Sequence, residues 1–284
     1  MLRTNVETYL ECDRDYAEAD IVLFGAPFDS STSFRPGTRF GSSAIRHESF
    51  GLESYSPYQD RDLRDYRIMD SGDLELSFGN TKLALADIEE RAQTILDDGK
   101  IPFMLGGEHL VTLGAFRAAV KKFPDIHIIH FDAHADLRQD YLGAELSHAC
   151  VLRRCWELTE DGRIHQFGIR SGDREEFYWG KDHVETRKFD FAGLEETLDR
   201  LKNVPVYFTL DLDVLDPSVF PGTGTPEPGG ATFEELRKAA TLVCRKGNVV
   251  ACDVNELSPH YDQSGASTAV ACKIVREMLL ALSR

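Results

Sequence analysis

Acidic and imidazole side chains are concentrated in the segment DIHIIHFDAHADLRQD. Asp132, His134 and Asp136 occupy alternate positions within it, and Asp211 and Asp213 repeat this spacing later in the chain. Alternate side chains of an extended segment point to the same side, and carboxylates gathered this closely repel one another unless a cation lies between them. The spacing therefore predicts a binding site for divalent cations.

The same ligand chemistry extends to His109, which follows the segment FMLGGE. With it the set holds four aspartates and two histidines, which is enough for two divalent ions if some of the aspartates bridge them. No cysteine lies near these positions, so the ligands are oxygen and nitrogen atoms, which favour Mn(II) over Mg(II), Co(II), Fe(II) or Zn(II). A lone Asp-x-Asp would more often cap a loop or a helix, and the repetition on several strands is what favours a metal.

The elements that position these residues follow from the hydrophobic pattern. Short apolar runs predict strands at 19–27, 66–73, 101–107, 126–134, 163–171, 204–213 and 248–256. Amphipathic stretches predict helices at 81–99, 109–122, 192–202, 232–246 and 265–284. Strands that are apolar on both faces and alternate with helices indicate a three-layer α/β/α fold with a mainly parallel sheet. No linker or repeat interrupts the chain, so residues 1–284 are predicted to form one domain.

Four of the predicted strands end in acidic or imidazole residues. These residues are Glu108 and His109; Asp132, His134 and Asp136; Asp211 and Asp213; and Asp253 and Glu256. Ligands of such sheets bind at the carboxyl ends of the strands. The charged groups are therefore expected to meet at one edge of the sheet.

Charge and composition limit the classes of binding partner and the cellular compartment that the sequence allows. The formal net charge of −16 argues against nucleic acid or an anionic membrane as partner and favours a cationic one. No apolar run is long enough for a transmembrane helix, and the acidic start of the chain does not resemble a signal peptide. The six cysteines contain no C-x-x-C pair, so reduced thiols and a cytoplasmic location are expected.

Six motifs in this order resemble the ureohydrolases, the family of arginase, agmatinase and their relatives. They are GGEH, DAHAD, SHA, DLDVLDP, GTGTPEPGG and DVNE, and the resemblance runs from residues 25–46 to residues 253–262. The segments GTRFGSSAIR and GTGTPEPGG are more similar to agmatinase than to arginase. The resemblance implies an arginase-like fold, a trimer or hexamer, and hydrolysis of agmatine to putrescine and urea as a step in polyamine biosynthesis.

Carried over position by position, the resemblance implies two Mn(II) per subunit. One would be held by His109, Asp132, Asp136 and Asp211, and the other by Asp132, His134, Asp211 and Asp213. Asp132 and Asp211 would bridge the two ions. Two dications would neutralise the four carboxylates and so make the acidic cluster tolerable inside the protein.

The resemblance also implies roles for residues that are not metal ligands. Glu256 would bind the guanidinium group through two hydrogen bonds, and Thr225 would contact the substrate. Asp136 would take a proton from the attacking hydroxide, and His148 would act as a general acid or a proton shuttle at the substrate. The loop at 137–148 carries Asp140 and Glu145 against a single cation, Arg138, which favours a substrate without a carboxylate.

Other functions stay open at this point. A different guanidino compound, such as arginine, guanidinobutyrate or aminopropylagmatine, would suit the same chemistry, and Arg138 is the residue that would accept a carboxylate. A metal-dependent deacetylase would need a catalytic histidine pair that the sequence does not show at matching places. A non-catalytic, metal-stabilised assembly protein would need only the ligands and not His148 or Glu256.

Overall fold

The structure is a computed structural model, and it describes residues 6–77 and 79–284. Within these residues the chain forms ten strands: β1 (Ile21–Gly25), β2 (Tyr55–Ser56), β3 (Arg61–Asp62), β4 (Ile68–Asp73), β5 (Ile101–Leu105), β6 (His127–Phe131), β7 (Ile164–Ile169), β8 (Glu185–Lys188), β9 (Pro205–Asp211) and β10 (Asn248–Asn255). Eight of them form a sheet in the order β4-β1-β5-β10-β9-β6-β7-β8, and β2 pairs with β3. Every neighbouring pair in the large sheet is parallel.

Helices cover both faces of this sheet. They are α1 (Gly41–Ser49), α2 (Thr81–Asp97), α3 (Thr112–Lys122), α4 (Val151–Trp156), α5 (Arg174–His183), α6 (Leu194–Arg200), α7 (Phe233–Lys246) and α8 (Ala266–Leu282). Alternate residues of β9 show how the core is divided. Phe208 packs into the cluster that holds α1, α6, α7 and α8, whereas Tyr207 packs into the cluster of α2, α3 and α4. The predicted three-layer α/β/α architecture with a parallel sheet is confirmed.

All seven predicted strands and all five predicted helices are present, most of them shorter by a few residues at the ends. Three helices, α1, α4 and α5, and three strands, the two-residue strands β2 and β3 and the edge strand β8, were not predicted. The reason for β8 is its position at the edge of the sheet, where the sequence ETRK carries no apolar pattern. The helix predicted at 109–122 begins at Thr112, because a 3₁₀ turn over His109–Val111 precedes it. The predicted domain 1–284 includes residues 1–5 and 78, which lie outside the described residues.

The cysteines and the apolar helices bear on two of the predictions made from composition. The six cysteines are all buried and unbridged. Among the described residues, no helix has the length and apolar character needed to cross a lipid bilayer. The burial of the thiols shows that they contribute to the core, where free cysteine behaves as a small apolar residue.

Candidate active site and metal centre

The four strands that carry the predicted site residues are consecutive in the sheet. Their order is β5-β10-β9-β6, although they are separated by long stretches of the chain. Since all four are parallel, their carboxyl ends lie at one edge, which is the place where ligands bind in this class of sheet. The expectation that the charged groups meet at one edge is confirmed.

His109 stands at the centre of three carboxylates. Its Nδ1 lies 3.0 Å from Asp132 Oδ2, 3.1 Å from Asp136 Oδ2 and 3.4 Å from Asp211 Oδ2. The ring is buried, and among the described residues this Nδ1 has no hydrogen-bond partner of acceptable geometry. The other ring nitrogen, Nε2, lies 2.9 Å from Thr209 Oγ1, whose hydroxyl donates to Asp253.

This arrangement settles which nitrogen of His109 is free. Because the Thr209 hydroxyl hydrogen is directed to Asp253, its oxygen accepts the Nε2–H of His109. The lone pair of Nδ1 is therefore aimed into a group of buried carboxylates without a proton to share. An unpartnered imidazole nitrogen among carboxylate oxygens is the donor set that a divalent cation requires, so the residues present fit a metal ion.

A second group of possible ligands adjoins the first through Asp132. Asp132, His134 and Asp213 offer ligand atoms close enough together to hold an ion. His134 Nδ1 lies 2.9 Å from Asp213 Oδ2 and 3.4 Å from Asp132 Oδ1. Asp132 thus presents Oδ1 to His134 and Oδ2 to His109, as a bridging carboxylate would. For Asp211 the contact is to His109, and its Oδ1 accepts the N–H of Asp213 at 2.8 Å.

His130 supports Asp132 from behind. Its Nε2 lies 2.9 Å from Asp132 Oδ2, and the side-chain amide nitrogen of Gln166 approaches its Nδ1 at 3.1 Å. The same amide nitrogen donates to the carbonyl of Ala135, which fixes the orientation of Gln166. His130 lies close enough to His109 and Asp132 to be a possible ligand, but because it accepts at Nδ1 its Nε2 carries the hydrogen and donates to the carboxylate, so in this arrangement it orients Asp132.

The electrostatics of the cluster follow from burial and crowding. Burial and the charges of Asp213 and Asp132 raise the pKa of Asp211 well above its usual value. Burial and the charge of Asp132 raise the pKa of Asp136 to about 7. Burial alone would lower the pKa of His109, but the neighbouring carboxylates of Asp132 and Asp136 raise it well above the ordinary value. These shifts show that the crowded carboxylates are stabilised by positive charge placed among them.

Two of the site residues have an unusual backbone. Asp136 has φ 54° and Glu256 has φ 67°, in the left-handed region that non-glycine residues seldom adopt. Such conformations cost of order 1–3 kcal/mol and persist at functional sites when the surroundings impose them. At both positions the chain turns sharply at a strand end and directs a carboxylate into the site.

Glu256 is buried beside the metal-ligand cluster. Its Oε1 accepts the backbone N–H of His109 at 2.7 Å, and its own N–H donates to the carbonyl of Gly107. Burial raises the pKa of this carboxyl well above the usual value, the bond from His109 opposes that effect, and the charge of Asp213 adds to it. One oxygen of Glu256 is already engaged, and Oε2 stays available for a cationic ligand.

A cavity of about 280 Å³ opens over the cluster. The predicted residues that line it are His109, His134, Asp136, His148, Asp211, Asp213, Thr225, Glu256 and Arg138. Thr225 also donates to Asp213 Oδ2 at 3.3 Å. Burial lowers the pKa of His148 to about 4, against a hydrogen bond to the Ser31 carbonyl that raises it. Of the predicted ligands, Asp132 is fully buried beneath this lining.

The acidic residues at the cavity mouth are not the ones that the sequence predicted. Asp140 and Glu145 do not line the cavity; the Glu145 side chain is 71% exposed and faces Arg154. Arg138 is paired instead with Asp173, at 2.8 Å, and with Glu176, at 3.5 Å.

Sequence reasoning missed these two acids because it missed helix α5. The segment SGDREE begins that helix with a capping box, in which Asp173 accepts from the N–H of Glu176 and Glu176 accepts from that of Asp173. This pattern of an N-cap acid followed three residues later by glutamate was the available signal.

Asp253, at the end of β10, lies behind the ligands, where its carboxylate accepts hydrogen bonds from Tyr207, Thr209 and Asn255.

Comparisons with known proteins agree with this fold and site. The chain belongs to the Arginase family, whose model matches residues 19–281. It is 48% identical over 269 residues to an agmatinase of Bacillus subtilis (strain 168), covering 94% of this chain and 93% of that protein. It is 46% identical over 277 residues to an agmatinase of Bacillus anthracis, covering 96% of each.

Among solved structures, the agmatine ureohydrolase of Thermoplasma volcanium superposes with a TM-score of 0.90 at 34% identity. The match covers 98% of this chain and 95% of that one. The ureohydrolase resemblance of the sequence motifs and the prediction of an enzyme are thereby confirmed.

Proposed function

We propose that this protein is a dinuclear-manganese amidinohydrolase that converts agmatine and water to putrescine and urea. The observation that carries the proposal is the position of Glu256, which presents a carboxylate oxygen into the cavity directly beside the buried ligand cluster. A planar cation can pair with this oxygen while its carbon lies over the cluster. The agmatinases of the two Bacillus species support the choice of substrate.

The residues that would hold the metal are the two groups described above. His109, Asp132, Asp136 and Asp211 would bind one ion, and Asp132, His134, Asp211 and Asp213 the other. Oxygen and nitrogen donors without a thiolate favour Mn(II). When bound, the ions supply Lewis acidity and lower the pKa of water, so that hydroxide is available near neutral pH.

Glu256 has the geometry to orient the guanidinium group. Its bond from the His109 N–H fixes the plane of the carboxylate, and its Oε2 is left to accept from guanidinium N–H groups. A charge-assisted hydrogen bond of this kind is about twice as strong as a neutral one. Substrate binding thus uses the negative charge that burial makes costly in the free protein.

Hydrolysis adds the oxygen of water to the guanidino carbon and breaks a carbon–nitrogen bond, and the departing amine must receive a proton. Asp136 lines the cavity among the proposed ligands, where its carboxylate can take up a proton from the attacking water and release it towards the departing amine. His148 lines the same cavity and can pass protons between Asp136, the leaving nitrogen and solvent.

The far end of the substrate meets the acidic mouth of the cavity. Arg138 is compensated by Asp173 and Glu176, so these three residues together carry a formal charge of −1. This balance favours the distal ammonium of agmatine over the carboxylate of arginine, although Asp140 and Glu145 are not its source.

The direct test is release of urea by the Mn(II)-loaded protein, measured colorimetrically with agmatine, arginine and guanidinobutyrate as substrates. We expect turnover of agmatine that Asp136→Asn abolishes and that Asp140→Asn, a matched change outside the cavity lining, leaves intact. Turnover of an acetylated amine and of no guanidino compound would indicate a deacetylase. No turnover of any substrate at full metal occupancy would indicate a non-catalytic metal protein.

A further inference from the structure

Glu108 is a buried carboxylate that the proposed reaction does not use. Its side chain is fully inaccessible to solvent, yet it accepts three hydrogen bonds from one loop. The N–H of Ser31 donates to Oε2 at 2.8 Å, the Ser31 hydroxyl to Oε1 at 2.6 Å, and the Thr32 hydroxyl to Oε2 at 3.1 Å. The backbone N–H of Glu108 also donates to the carbonyl of Phe28 at 2.7 Å.

The close approach of this loop requires the glycine that precedes Glu108. A Cβ at Gly107 would lie 2.0 Å from the carbonyl oxygen of Phe28, a distance at which the backbone would have to move. The GGEH segment therefore has two functions in the fold: it delivers His109 to the ligand cluster, and it fastens the loop that contains Ser31 and Thr32.

Ser31 connects this anchored loop to His148. Its hydroxyl oxygen accepts the backbone N–H of His148 at 2.9 Å, and its carbonyl oxygen lies 3.0 Å from His148 Nδ1. A carbonyl can only accept, so Nδ1 carries the hydrogen and the lone pair of neutral His148 is on Nε2. The Ser31 carbonyl therefore selects the tautomer, and the Ser31 hydroxyl holds the backbone from which the ring projects.

Glu108 determines the orientation of that hydroxyl. A serine hydroxyl has one hydrogen to donate, and the carboxylate takes it at 2.6 Å. The oxygen lone pairs are then directed to the N–H of His148. Removal of the acceptor would free the hydroxyl to rotate and would leave buried donors of the loop unpaired, which is unfavourable inside the protein.

We propose that Glu108 and Ser31 are positioning residues that act through His148, fixing its ring orientation and its Nδ1–H tautomer so that Nε2 exchanges the proton with the substrate. The proposal rests on the proposed function, since it assigns the device that prepares His148 for that reaction. Thr32 offers a matched comparison, because it donates to the same carboxylate but makes no contact with His148 in the hydrogen bonds of the described residues.

The kinetic test uses the Mn(II)-loaded full chain with agmatine. Ser31→Ala should lower kcat by about 10-fold to 100-fold, a fraction of what a general acid or base contributes, with KM changed less than about threefold. Ser31→Thr, which keeps the hydroxyl, should recover most of the rate. Thr32→Val should stay within about threefold of wild type, and metal content should be the same in all variants.

A double-mutant cycle decides whether Ser31 acts through His148. In a His148→Asn background, Ser31→Ala should cost no further activity, because residues that act as a unit are not additive. Full additivity of the two changes, or equal losses for Ser31→Ala and Thr32→Val, would overturn the proposal. Thermal unfolding of each variant separates this effect from a loss of folded protein.

An NMR measurement determines the tautomer of His148 without requiring turnover. Long-range ¹H–¹⁵N spectra of the Mg(II)-loaded, ¹⁵N-histidine-labelled protein should show His148 as the Nδ1–H tautomer, and Glu108→Gln should mix the tautomers. An Nε2–H tautomer in wild type would refute the proposal. A wild-type protein that shows the Nδ1–H tautomer but releases no urea from any guanidino compound would instead refute the proposed function.

Discussion

Replacing Glu256 by glutamine tests the assignment of the guanidinium site most directly. The glutamate Oε1 accepts the N–H of His109 at 2.7 Å, and an amide can keep that bond only if its oxygen takes the Oε1 position. Its NH₂ group must then occupy the Oε2 position and face the N–H groups of the substrate. The variant keeps the shape of the side chain but presents donors to donors.

The size of the effect follows from this geometry. At least one charge-assisted hydrogen bond to the guanidinium is lost, worth about 1.5–3 kcal/mol, and the charge that pairs with the cation is lost as well. We therefore expect kcat/KM for agmatine to fall at least 10²-fold, or about 2.7 kcal/mol of transition-state stabilisation. Both metal ions should remain bound, because Glu256 is not among the proposed ligands.

The assay is initial-rate urea release with the metal content of each sample measured in parallel. Glu145→Gln is the matched control, since that side chain is 71% exposed and lies outside the cavity lining; it should keep wild-type activity. A Glu256→Gln protein that contains two metals and turns over agmatine at nearly the wild-type rate would refute the proposed role.

The remaining predictions concern the metal, the specificity and acid stability. Asp132→Ala should remove both ions and His109→Ala mainly one, because the two oxygens of Asp132 face both ligand groups; full occupancy in the Asp132 variant by metal analysis would reject the bridge. Agmatine should exceed arginine in kcat/KM by at least about tenfold at low salt, since one charge contact at ~4 Å is worth about 1–4 kcal/mol, and added salt should narrow the gap; equal rates would show that Arg138 governs the cavity mouth. Burial and the neighbouring His165 lower the pKa of His127 to about 4, so the folded protein keeps this ring neutral while the unfolded chain protonates near pH 6.5. Stability should therefore fall as the pH drops from 6.5 towards 4, and His127→Asn should recover about 1 kcal/mol of this loss in urea unfolding at pH 5, after allowance for the half-exposed ring. A pH dependence of stability in His127→Asn that equals that of the wild type would contradict the reasoning.

The sequence was sufficient to predict the large sheet and the meeting of acidic and imidazole side chains at its edge, for one physical reason. Buried parallel strands are apolar on both faces, so the charged residues that follow them stand out. Asp132 and Asp211, for example, each directly follow a run of buried and mostly apolar residues. The carboxyl-end rule then places such residues together without any knowledge of the strand order.

The cavity mouth could not be predicted in the same way, because its elements have weak patterns. Helix α5 buries little of its length, with Glu176 and Gly180 its buried residues, and so it lacks the apolar periodicity on which prediction depends. Asp173 pairs with Arg138 across 35 positions of the chain, and nothing in local sequence specifies such a contact. Asp140 and Glu145 were predicted to make the cavity mouth negative because they are close to Arg138 in the sequence. Closeness in the sequence does not imply that a side chain lines the cavity.

The location of β10 in the sheet has a consequence for how the protein reaches its folded state. It is the last strand in chain order, yet it lies between β5 and β9, with β4 and β1 beyond one neighbour and β6, β7 and β8 beyond the other. Until it inserts, the sheet exists only as two separate halves, with His109 attached to one and the four aspartates to the other. Pairings of such long sequence separation form slowly, because a long loop must close first, so we expect the insertion of β10 to be a slow step of folding. Within the sheet, only β10 joins the half that carries His109 to the half that carries the aspartates, so its pairing with both neighbours completes the frame of the candidate metal centre.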